Sequence, residues 1–362
     1  MKFNKQKKLT IILCLSIIAI CFILVYNHRF SISSRENTSN AENNISSYKS
    51  KSGFFLGTYI NIKIYDNPND ELFNNVFSIL KDIENKMSVN LPNSEISRIN
   101  KKSGESETKV SPETFNVIKK GKFYSQLSKG NFDISIGPLV KLWGIGSNHA
   151  KLPSLEEIKT AKNKICYDHI LLDENNSTIK LKNKGMQIDL GGIAKGYAAD
   201  KVAEYLTEKG IKSAILDLGG NIYALGNNPN NDAWNIGIQN PMEPRGEHLG
   251  ILSINNKSIV TSGVYERYFE KDGKKYHHIL SPFTGYPVEN SLVSTTIISD
   301  KSIDGDALST TIFALGIEDG LKLIESLKNV DAILVNNKKE VFITSGLKIN
   351  FKITNNKYKI KN

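Results

Sequence analysis

Cysteine is almost absent from this chain of 362 residues, which contains three. Two of them, Cys14 and Cys21, lie in an apolar segment near the N-terminus, so Cys166 alone is left for the rest of the chain. The part that follows the apolar segment can therefore form no internal disulfide. The formal net charge is +10, but no stripe of basic residues alternates with aromatics, which argues against nucleic acid as a partner.

Common catalytic signatures are also missing. The sequence contains no Walker phosphate loop, no GxGxxG dinucleotide fingerprint, no HExxH zinc motif and no GxSxG nucleophile turn. The composition, 40% hydrophobic and 23% charged, is nevertheless that of a globular protein. The function therefore has to be sought in less familiar patterns.

One long hydrophobic run is present, Leu9–Tyr26, with eighteen uncharged residues. Its length is at the short end of a membrane span and no small-x-small cleavage site follows closely, which favours an uncleaved anchor over a cleaved signal peptide. The first thirty residues contain five cations and no acid, which favours a cytoplasmic N-terminus. We expect a cell-membrane protein with an extracytoplasmic domain: residues 1–30 form a basic tip and an anchor or signal segment, 31–52 a flexible linker rich in Ser and Asn, and 53–362 one folded domain.

Helix and strand patterns are mixed in the folded part without regular alternation. This indicates an α+β fold with mixed, largely antiparallel sheets and flanking helices. Helix periodicity and caps predict helices at Leu72–Met87, Ser111–Leu127, Ser154–Asn163, from Ile193 onward, and at Asp306–Leu315. Strands are predicted at Phe54–Tyr65, Met186–Leu190, Ala214–Leu218, Trp234–Gln239, Gly250–Ile254, Ser258–Ser262 and Thr295–Ser299, with hairpins across Lys271–Gly273 and Asn336–Lys339.

The segment Ile188–Asp200, IDLGGIAKGYAAD, carries the strongest local signal. Two glycines between an apolar run and a helix start let another backbone or a phosphate approach closely. Lys195 adds a positive charge in the first helical turn, and Asp189 places a carboxylate before the glycines. The segment could therefore bind an anion or a cation, but it is equally typical of an ordinary tight turn with a surface lysine.

A second candidate lies more than a hundred residues later. Asp306, Ser309 and Thr310 have the spacing that places three oxygen-bearing side chains on one helix face. Hard cations such as magnesium prefer oxygen ligands, usually one or two carboxylates with water and substrate phosphates. The alternative is a helix N-terminus, where all three residue types are favoured as caps.

Two aromatic or imidazole features remain ambiguous. The adjacent His277 and His278 should point to opposite faces of a strand, so at most one of them faces a site. Trp143, among glycines, could cover an aromatic ring, although a core position is more typical of tryptophan.

Seven segments in a fixed order resemble the ApbE-type flavin transferases, the FAD:protein FMN transferase family. The resemblance covers about Gly53 to Asn350, and the fold it implies is ApbE-like. The segments are MSVNLPNSEISRIN (Met87–Asn100), FDISIGPLVKLWGIG (Phe132–Gly146), IDLGGIAKGYAAD (Ile188–Asp200), LDLGGNIYALG (Leu216–Gly226), TSGVYERYF (Thr261–Phe269), HHILSPFTGYPV (His277–Val288) and DALSTTIFALG (Asp306–Gly316).

The resemblance implies magnesium-dependent cleavage of FAD, transfer of FMN to a Ser or Thr hydroxyl of a target flavoprotein, and release of AMP. For the metal it implies Asp306 and Thr310, a carbonyl from Gly192, and Ser309 at a third side-chain position. Asp306 is thus also catalytic, and His278 or a site carboxylate would be the base. For the flavin nucleotide it implies Leu56, Asn90, Asn131, Phe132, Asp133, Asp189, Lys195 and Leu280.

Asn90 departs from the family pattern, in which tyrosine is common and can cover the adenine side of FAD. A smaller amide could admit water, so hydrolysis of FAD to FMN and AMP is an alternative activity. A third reading is a membrane-tethered protein that binds flavin without catalysis.

Overall fold

A nine-stranded sheet forms the centre of residues 48–361, the part of the chain that the computed structural model describes. The strands are β1 (Lys49–Phe55), β2 (Thr58–Ile64), β3 (Thr108–Lys109), β4 (Ile170–Asp173), β5 (Thr178–Leu181), β6 (Ser213–Leu218), β7 (Asn221–Gly226), β8 (Trp234–Gln239), β9 (His248–Ile254), β10 (Lys257–Gly263), β11 (Tyr268–Lys271), β12 (Lys274–His277), β13 (Leu292–Ser299), β14 (Val330–Asn336), β15 (Glu340–Ile343), β16 (Phe351–Ile353) and β17 (Lys359–Ile360). The order of strands in the large sheet is β1-β2-β6-β7-β10-β13-β14-β15-β17, and smaller sheets have the orders β3-β5-β4, β16-β9-β8 and β11-β12.

Every neighbouring pair of strands is antiparallel except β15 and β17. The α-helices of the described residues are α1 (Asp70–Met87), α2 (Glu95–Lys101), α3 (Pro112–Leu127), α4 (Gly137–Trp143), α5 (Leu155–Lys162), α6 (Ala194–Glu208), α7 (Ser302–Leu315) and α8 (Ile317–Glu325). This architecture confirms the predicted α+β class.

Predicted caps start two of the helices. The Ser111 side chain accepts a hydrogen bond from the Thr114 amide, and Pro112 occupies the first helical position of α3. At α5, Ser154 and Glu157 form a reciprocal capping box, which satisfies two amides that the helix itself leaves unpaired.

Alternation along the central strands buries both faces of the nine-stranded sheet. Ile297 of β13 and Leu334 of β14 face the core that is shared with the helices. Their neighbours Ile298 and Ile333 face a second core, beneath β16-β9-β8. On the helical side, α7 packs on β10 and β13, and α6 packs against α7. The two helices that carry the strongest sequence signals are therefore direct neighbours.

Two predicted strands are wrong. Residues Phe54–Tyr65 form a hairpin rather than one strand, because the chain turns at Leu56 and Gly57, which have φ values of 52° and 71°. An uninterrupted alternation hid this turn, since leucine rarely adopts positive φ. The run Met186–Leu190 makes no regular strand and pairs only through one bridge, from Gln187 to Ile136.

The folded part begins earlier than the expected boundary at Gly53, since residues 49–52 belong to β1. The predicted cytoplasmic tip and anchor, and the linker up to residue 47, lie outside the described residues. Within residues 48–361, no helix combines the length and the hydrophobicity that crossing a bilayer requires.

Candidate active site

Helices α6 and α7, which contain the two candidate motifs, pack with their backbones almost in contact. A Cβ atom placed on Gly196 of α6 would lie 2.3 Å from the Ser302 carbonyl oxygen and 2.7 Å from the Ile303 Cα of α7. Only glycine permits this approach, so the third glycine of IDLGGIAKGYAAD is a packing requirement. It brings the first turn of α6 beside the second turn of α7.

Each helix also caps the other. Asp200 of α6 accepts hydrogen bonds from the amides of Ser302 (2.7 Å) and Ile303 (2.9 Å), the first two residues of α7. Asp306 of α7 accepts one from the Gly196 amide at 2.9 Å, in the first turn of α6. Since α7 begins at Ser302, Asp306 cannot cap its own helix, and the alternative interpretation of Asp306–Thr310 as a helix start is wrong.

Asp306 also meets the positive charge predicted in the other motif. The Lys195 Nζ lies 3.3 Å from Asp306 Oδ1 and donates to the Gly191 carbonyl oxygen at 3.2 Å. Asp306 is only 4% exposed. A buried carboxylate is held here by two positive groups, a lysine and a helix N-terminus, which fixes its orientation.

Asp189 lies on the far side of the two glycines. Its Oδ1 accepts a hydrogen bond from the Gly191 amide at 2.7 Å, and its own amide donates to the Ile134 carbonyl oxygen at 2.8 Å. Burial raises the pKa of Asp189, while the Gly191 hydrogen bond and the charges of Arg267 and Lys195 oppose that rise. The predicted pair of Asp189 and Lys195 is thus present around one turn.

Of the other predicted metal ligands, Thr310 lies beside Gly192, whereas the Ser309 hydroxyl is bonded to other residues. A Cβ placed on Gly192 would lie 3.7 Å from Thr310 Oγ1 and 3.0 Å from the Phe132 ring, so Thr310, Gly192 and Phe132 are neighbours. Ser309 is fully buried, donates to the Asp306 carbonyl oxygen at 2.9 Å and bonds the Ser262 hydroxyl at 2.8 Å. The Ser309 hydroxyl therefore supports the helix and ties it to β10.

These oxygen donors suit a hard cation that takes few of its ligands from the protein. One carboxylate (Asp306), one half-buried hydroxyl (Thr310) and a nearby backbone carbonyl (Gly192) are oxygen groups, as magnesium prefers. Among residues 48–361, no group of three or more His, Cys, Asp or Glu side chains is placed to hold a metal. Oxygen donors of this kind suit a magnesium ion whose other coordination positions are completed by water or phosphate oxygens.

The segment 131–133 reaches the site mainly through Phe132. The Asn131 side chain donates to the Ser128 carbonyl oxygen at 2.9 Å, a local bond that shapes the turn after α3. Asp133 accepts from the amide and the hydroxyl of Ser135, each at 2.7 Å. Burial raises the pKa of Asp133, and these hydrogen bonds oppose the rise. Direct contacts thus place Phe132 against Gly192, while Asn131 and Asp133 organise the adjoining loop.

Asn90 is exposed and lies in a cleft of about 400 Å³. Asp189 lines the same cleft, together with residues of α2, α4 and their neighbours: Val89, Ser97, Asn100, Lys101, Gly137, Val140, Lys141, Gln187 and Ile188. Two lysines, Lys101 and Lys141, give this cleft positive charge beside Asp189. The cleft joins Asn90 to the glycine turn, as the predicted nucleotide contacts require.

The two histidines have different partners, as their expected opposite orientation implies. His277 is buried, and its ring uses both nitrogens, since Nε2 lies 3.0 Å from the Val288 carbonyl oxygen and Nδ1 accepts from the Ile279 amide. His278 Nδ1 lies 3.2 Å from the Arg267 carbonyl oxygen. A carbonyl only accepts, so Nδ1 carries the proton and Nε2 of the neutral ring has a free lone pair.

The charge state of His278 suits a proton acceptor. Burial lowers its pKa to about 4, and the positive charges of Arg267 and Lys195 act in the same direction. The imidazole is therefore neutral at physiological pH.

Arg267 is the principal site residue that the sequence reasoning missed. Its Nη2 donates to the Gly57 carbonyl oxygen at 3.0 Å, and so links the hairpin turn that contains Leu56 to the His278 segment. The Leu56 amide is held by Glu84 Oε1 of α1 at 2.9 Å. TSGVYERYF contained Arg267, but a lone arginine in a loop gives no spacing signal by which to select it.

Leu280 and Trp143 belong to the core beside the site. Both are buried in one cluster, and the Trp143 indole donates to the Gly285 carbonyl oxygen at 2.8 Å. The tryptophan thus takes the core position rather than a place over a ligand ring. Because the Leu280 side chain is buried in this cluster, only its backbone is left for the predicted contact near the diphosphate. That backbone lies opposite Pro287 in an isolated β-bridge.

The fold and the site together define an α+β protein whose centre combines a carboxylate–lysine pair, a glycine turn and a neutral histidine. The chain belongs to the ApbE family, whose family model matches residues 56–334.

Relatives support this assignment over most of the chain. It is 37% identical over 320 residues to an FAD:protein FMN transferase of Klebsiella pneumoniae, covering 88% of this chain and 98% of that protein. It is 34% identical to the protein of the same name from Treponema pallidum, with coverages of 82% and 87%. Solved structures of the ApbE protein of Thermotoga maritima (TM-score 0.77, 30% identity, coverages 84% and 99%) and the flavin transferase ApbE of Vibrio cholerae (0.76, 28%, 84% and 100%) share its fold.

Proposed function

We propose that this chain is an FAD:protein FMN transferase. The diphosphate bond of FAD breaks, AMP leaves, and the FMN phosphorus forms a new bond to a Ser or Thr oxygen of a target flavoprotein. The observation that carries the proposal is the α6–α7 junction, where Asp306, Lys195, Gly192 and Thr310 converge. The names of the relatives agree with it.

The residues of the chain have separate tasks in this reaction. Asp306, Thr310 and the Gly192 carbonyl would hold a magnesium ion, which supplies Lewis-acid stabilisation of phosphate charge when bound, worth several kcal/mol. Lys195 offers its ammonium to the same anion. His278 accepts the proton of the acceptor hydroxyl at Nε2, since its Nδ1 is committed to the Arg267 carbonyl. Positioning and electrostatics do most of the remaining work, as in phosphoryl transfer generally.

The N-terminal segment completes the proposal. A single anchor in the first thirty residues would hold the domain outside the cytoplasmic membrane on a Ser- and Asn-rich tether. Exported flavoproteins and flavin-carrying subunits of membrane redox systems are then the targets that the domain can reach.

Mass spectrometry of a candidate target tests the function. The target is incubated with the full chain, FAD and magnesium, and a covalent FMN adduct with one AMP per adduct is expected. The variant Asp306→Asn should lose at least about 100-fold in rate, because it keeps an acceptor for the Gly196 amide but loses the charge. Wild-type rates in that variant would refute the assigned site.

Two other results would select the alternatives. AMP and free FMN without an adduct identify an FAD hydrolase, which the exposed Asn90 in the open cleft makes the second candidate. Intact bound FAD without AMP identifies a flavin-binding protein without catalysis.

A further inference from the structure

Arg267 occupies a position between three loops of the site. It is exposed, follows β10, and donates from Nη2 to the Gly57 carbonyl oxygen at 3.0 Å. Its aliphatic part covers Gly146, where an added Cβ would lie 3.3 Å from the Arg267 Cδ. Its own carbonyl accepts hydrogen bonds from the amide of His278 (3.1 Å) and from His278 Nδ1 (3.2 Å). The backbone of Arg267 is therefore bonded to the histidine, and its guanidinium is bonded to the Leu56–Gly57 turn.

Most of the hydrogen-bonding capacity of this guanidinium is unused. An arginine has five N–H donors, and Arg267 spends one on Gly57 among the residues 48–361. No carboxylate of this part of the chain lies within salt-bridge distance of it, whereas Arg245 has Asp217 at 3.9 Å. Lys195 is committed to Asp306 and Gly191. Within residues 48–361, Arg267 is thus a cation beside His278 whose charge has no carboxylate partner.

Arg267 and Lys195 act on the same space. The positive charges of both lower the pKa of Asp189 against the effect of burial, and both lower the pKa of His278. Glu266 is affected by both in the same way. Both positive charges therefore influence the same three ionisable side chains of the site.

We propose that Arg267 is a substrate-binding residue whose guanidinium contacts the FAD diphosphate. The inference rests on the proposed function for the identity of the anion. A planar fork of N–H donors matches phosphate oxygens and can bind two of them at once. The bond to Gly57 orients this fork before the substrate arrives, so less freedom is lost on binding.

Equilibrium FAD binding to the full chain tests the proposal. FAD is titrated by flavin fluorescence with magnesium present and no acceptor protein, and chromatography verifies that it stays intact, at two salt concentrations. Arg267→Ala should weaken binding about tenfold at low salt, as expected for loss of a charge-assisted hydrogen bond. Its dissociation constant should also change less with salt than that of the wild type, because an exposed charge contact is screened.

Two matched variants control the test. Arg245→Ala removes a neighbouring positive charge that faces Asp217, and its FAD affinity should stay within about twofold of the wild type. Arg267→Lys keeps the charge without the fork, so it should recover part of the affinity and the salt dependence. Thermal unfolding of each variant should match the wild type, because both arginines are exposed.

Three results would overturn the inference. An unchanged FAD affinity in Arg267→Ala would refute the proposed contact. An equal loss of FAD affinity in Arg245→Ala would show that the overall positive charge of the region attracts FAD, without a direct contact from Arg267. A loss with unaltered salt dependence shows that Arg267 only holds the Leu56–Gly57 turn. None of these depends on transfer, since FAD can bind as expected while no protein adduct forms, which would refute the proposed function alone.

Discussion

The two halves of the candidate site are built in opposite ways. The half at the α6–α7 junction is buried, and its contacts join carboxylates to backbone amides of a neighbouring helix. The half formed by the Leu56–Gly57 turn, Arg267 and His278 lies on loops, and its contacts end on backbone carbonyls near solvent. The first half carries the proposed metal ligands, and the second carries the proposed base.

The difference shows which half can adjust. Helices in backbone contact have two or more packed faces and cannot shift without opening the core, so the position of Asp306 is set by the fold. A loop held by single hydrogen bonds of about 1 kcal/mol can move at small cost. We therefore expect substitutions at the junction to affect stability first, and substitutions in the loop half to affect binding and catalysis first.

The substitution Gly196→Ala should reduce the free energy of unfolding more than any other substitution at the junction or in the loop half. A smaller loss would contradict the contrast between a rigid helix junction and adjustable loops. The added Cβ meets Ser302 O at 2.3 Å, and backbone atoms of α7 cannot rotate away. Overpacking of this kind costs roughly 3 kcal/mol. Chemical denaturation should show that loss, together with loss of FAD turnover.

Lys201→Ala provides the control on the same helix. Lys201 is half-buried and, within residues 48–361, forms an ion pair only with Glu204 on the surface, so the variant should stay within about 0.5 kcal/mol of the wild type. Full stability of Gly196→Ala would show that the helices can separate, and the junction would no longer differ from the loops.

Sequence patterns predicted most of the secondary structure because local rules governed it. The capping box at Ser154 and the proline at position 112 marked helix starts correctly, and the hairpin across Asn336–Lys339 formed as expected. The failures came where tertiary contacts decided. Leu56 turns with positive φ, and residues Met186–Leu190 follow neighbouring loops instead of a strand partner.

The candidate site was predictable to the same extent. The spacing of Asp306 and Thr310 and the glycine turn were visible in the sequence, and the structure brings them together. The roles of Gly196 and Asp200 were not visible, because they depend on which helix crosses α6. Capping between helices leaves no local pattern, unlike a cap within one helix.

In the loop half, His278→Gln should reduce transfer by about 100-fold, the usual contribution of a general base. The same substitution tests whether the lowered pKa of His278 makes the stability of the protein depend on pH. Since burial lowers its pKa to about 4 from 6.5, the unfolded chain binds a proton that the native chain does not between these values. Wild-type stability should thus fall as pH falls from about 6.5 to about 4.

The variant His278→Gln should lose less stability over that interval, as measured by urea denaturation at pH 7 and pH 5. His277→Gln serves as the comparison, because the His277 ring is fully hydrogen-bonded inside the core and should matter for stability rather than rate. Undiminished transfer by His278→Gln would leave a site carboxylate as the base.

At the junction, Asp200→Ala should lower the free energy of unfolding by about 1 kcal/mol, the usual value of a helix cap. Two amides at the start of α7, those of Ser302 and Ile303, lose their acceptor. Asp200→Asn keeps one oxygen and should lose less. FAD turnover should stay within a few-fold in both, because Asp200 contacts none of the proposed ligands; a loss as large as that of Asp306→Asn would contradict this separation.

The smallest effect is expected at the cleft that extends from Asn90 to Asp189, outside both halves. Asn90→Tyr places a ring in a cleft of about 400 Å³ whose lining contains no aromatic side chain. A tyrosine there should cover the adenine side of FAD and exclude water, so the ratio of free FMN to protein-bound FMN should fall a few-fold, roughly 1 kcal/mol. Chromatography of the small products beside mass spectrometry of the target measures both. Asn90→Gln, which keeps the amide, should leave the ratio unchanged. An unchanged ratio in Asn90→Tyr would show that water enters from the loop half instead, and that half would then control both the acceptor and its competitor.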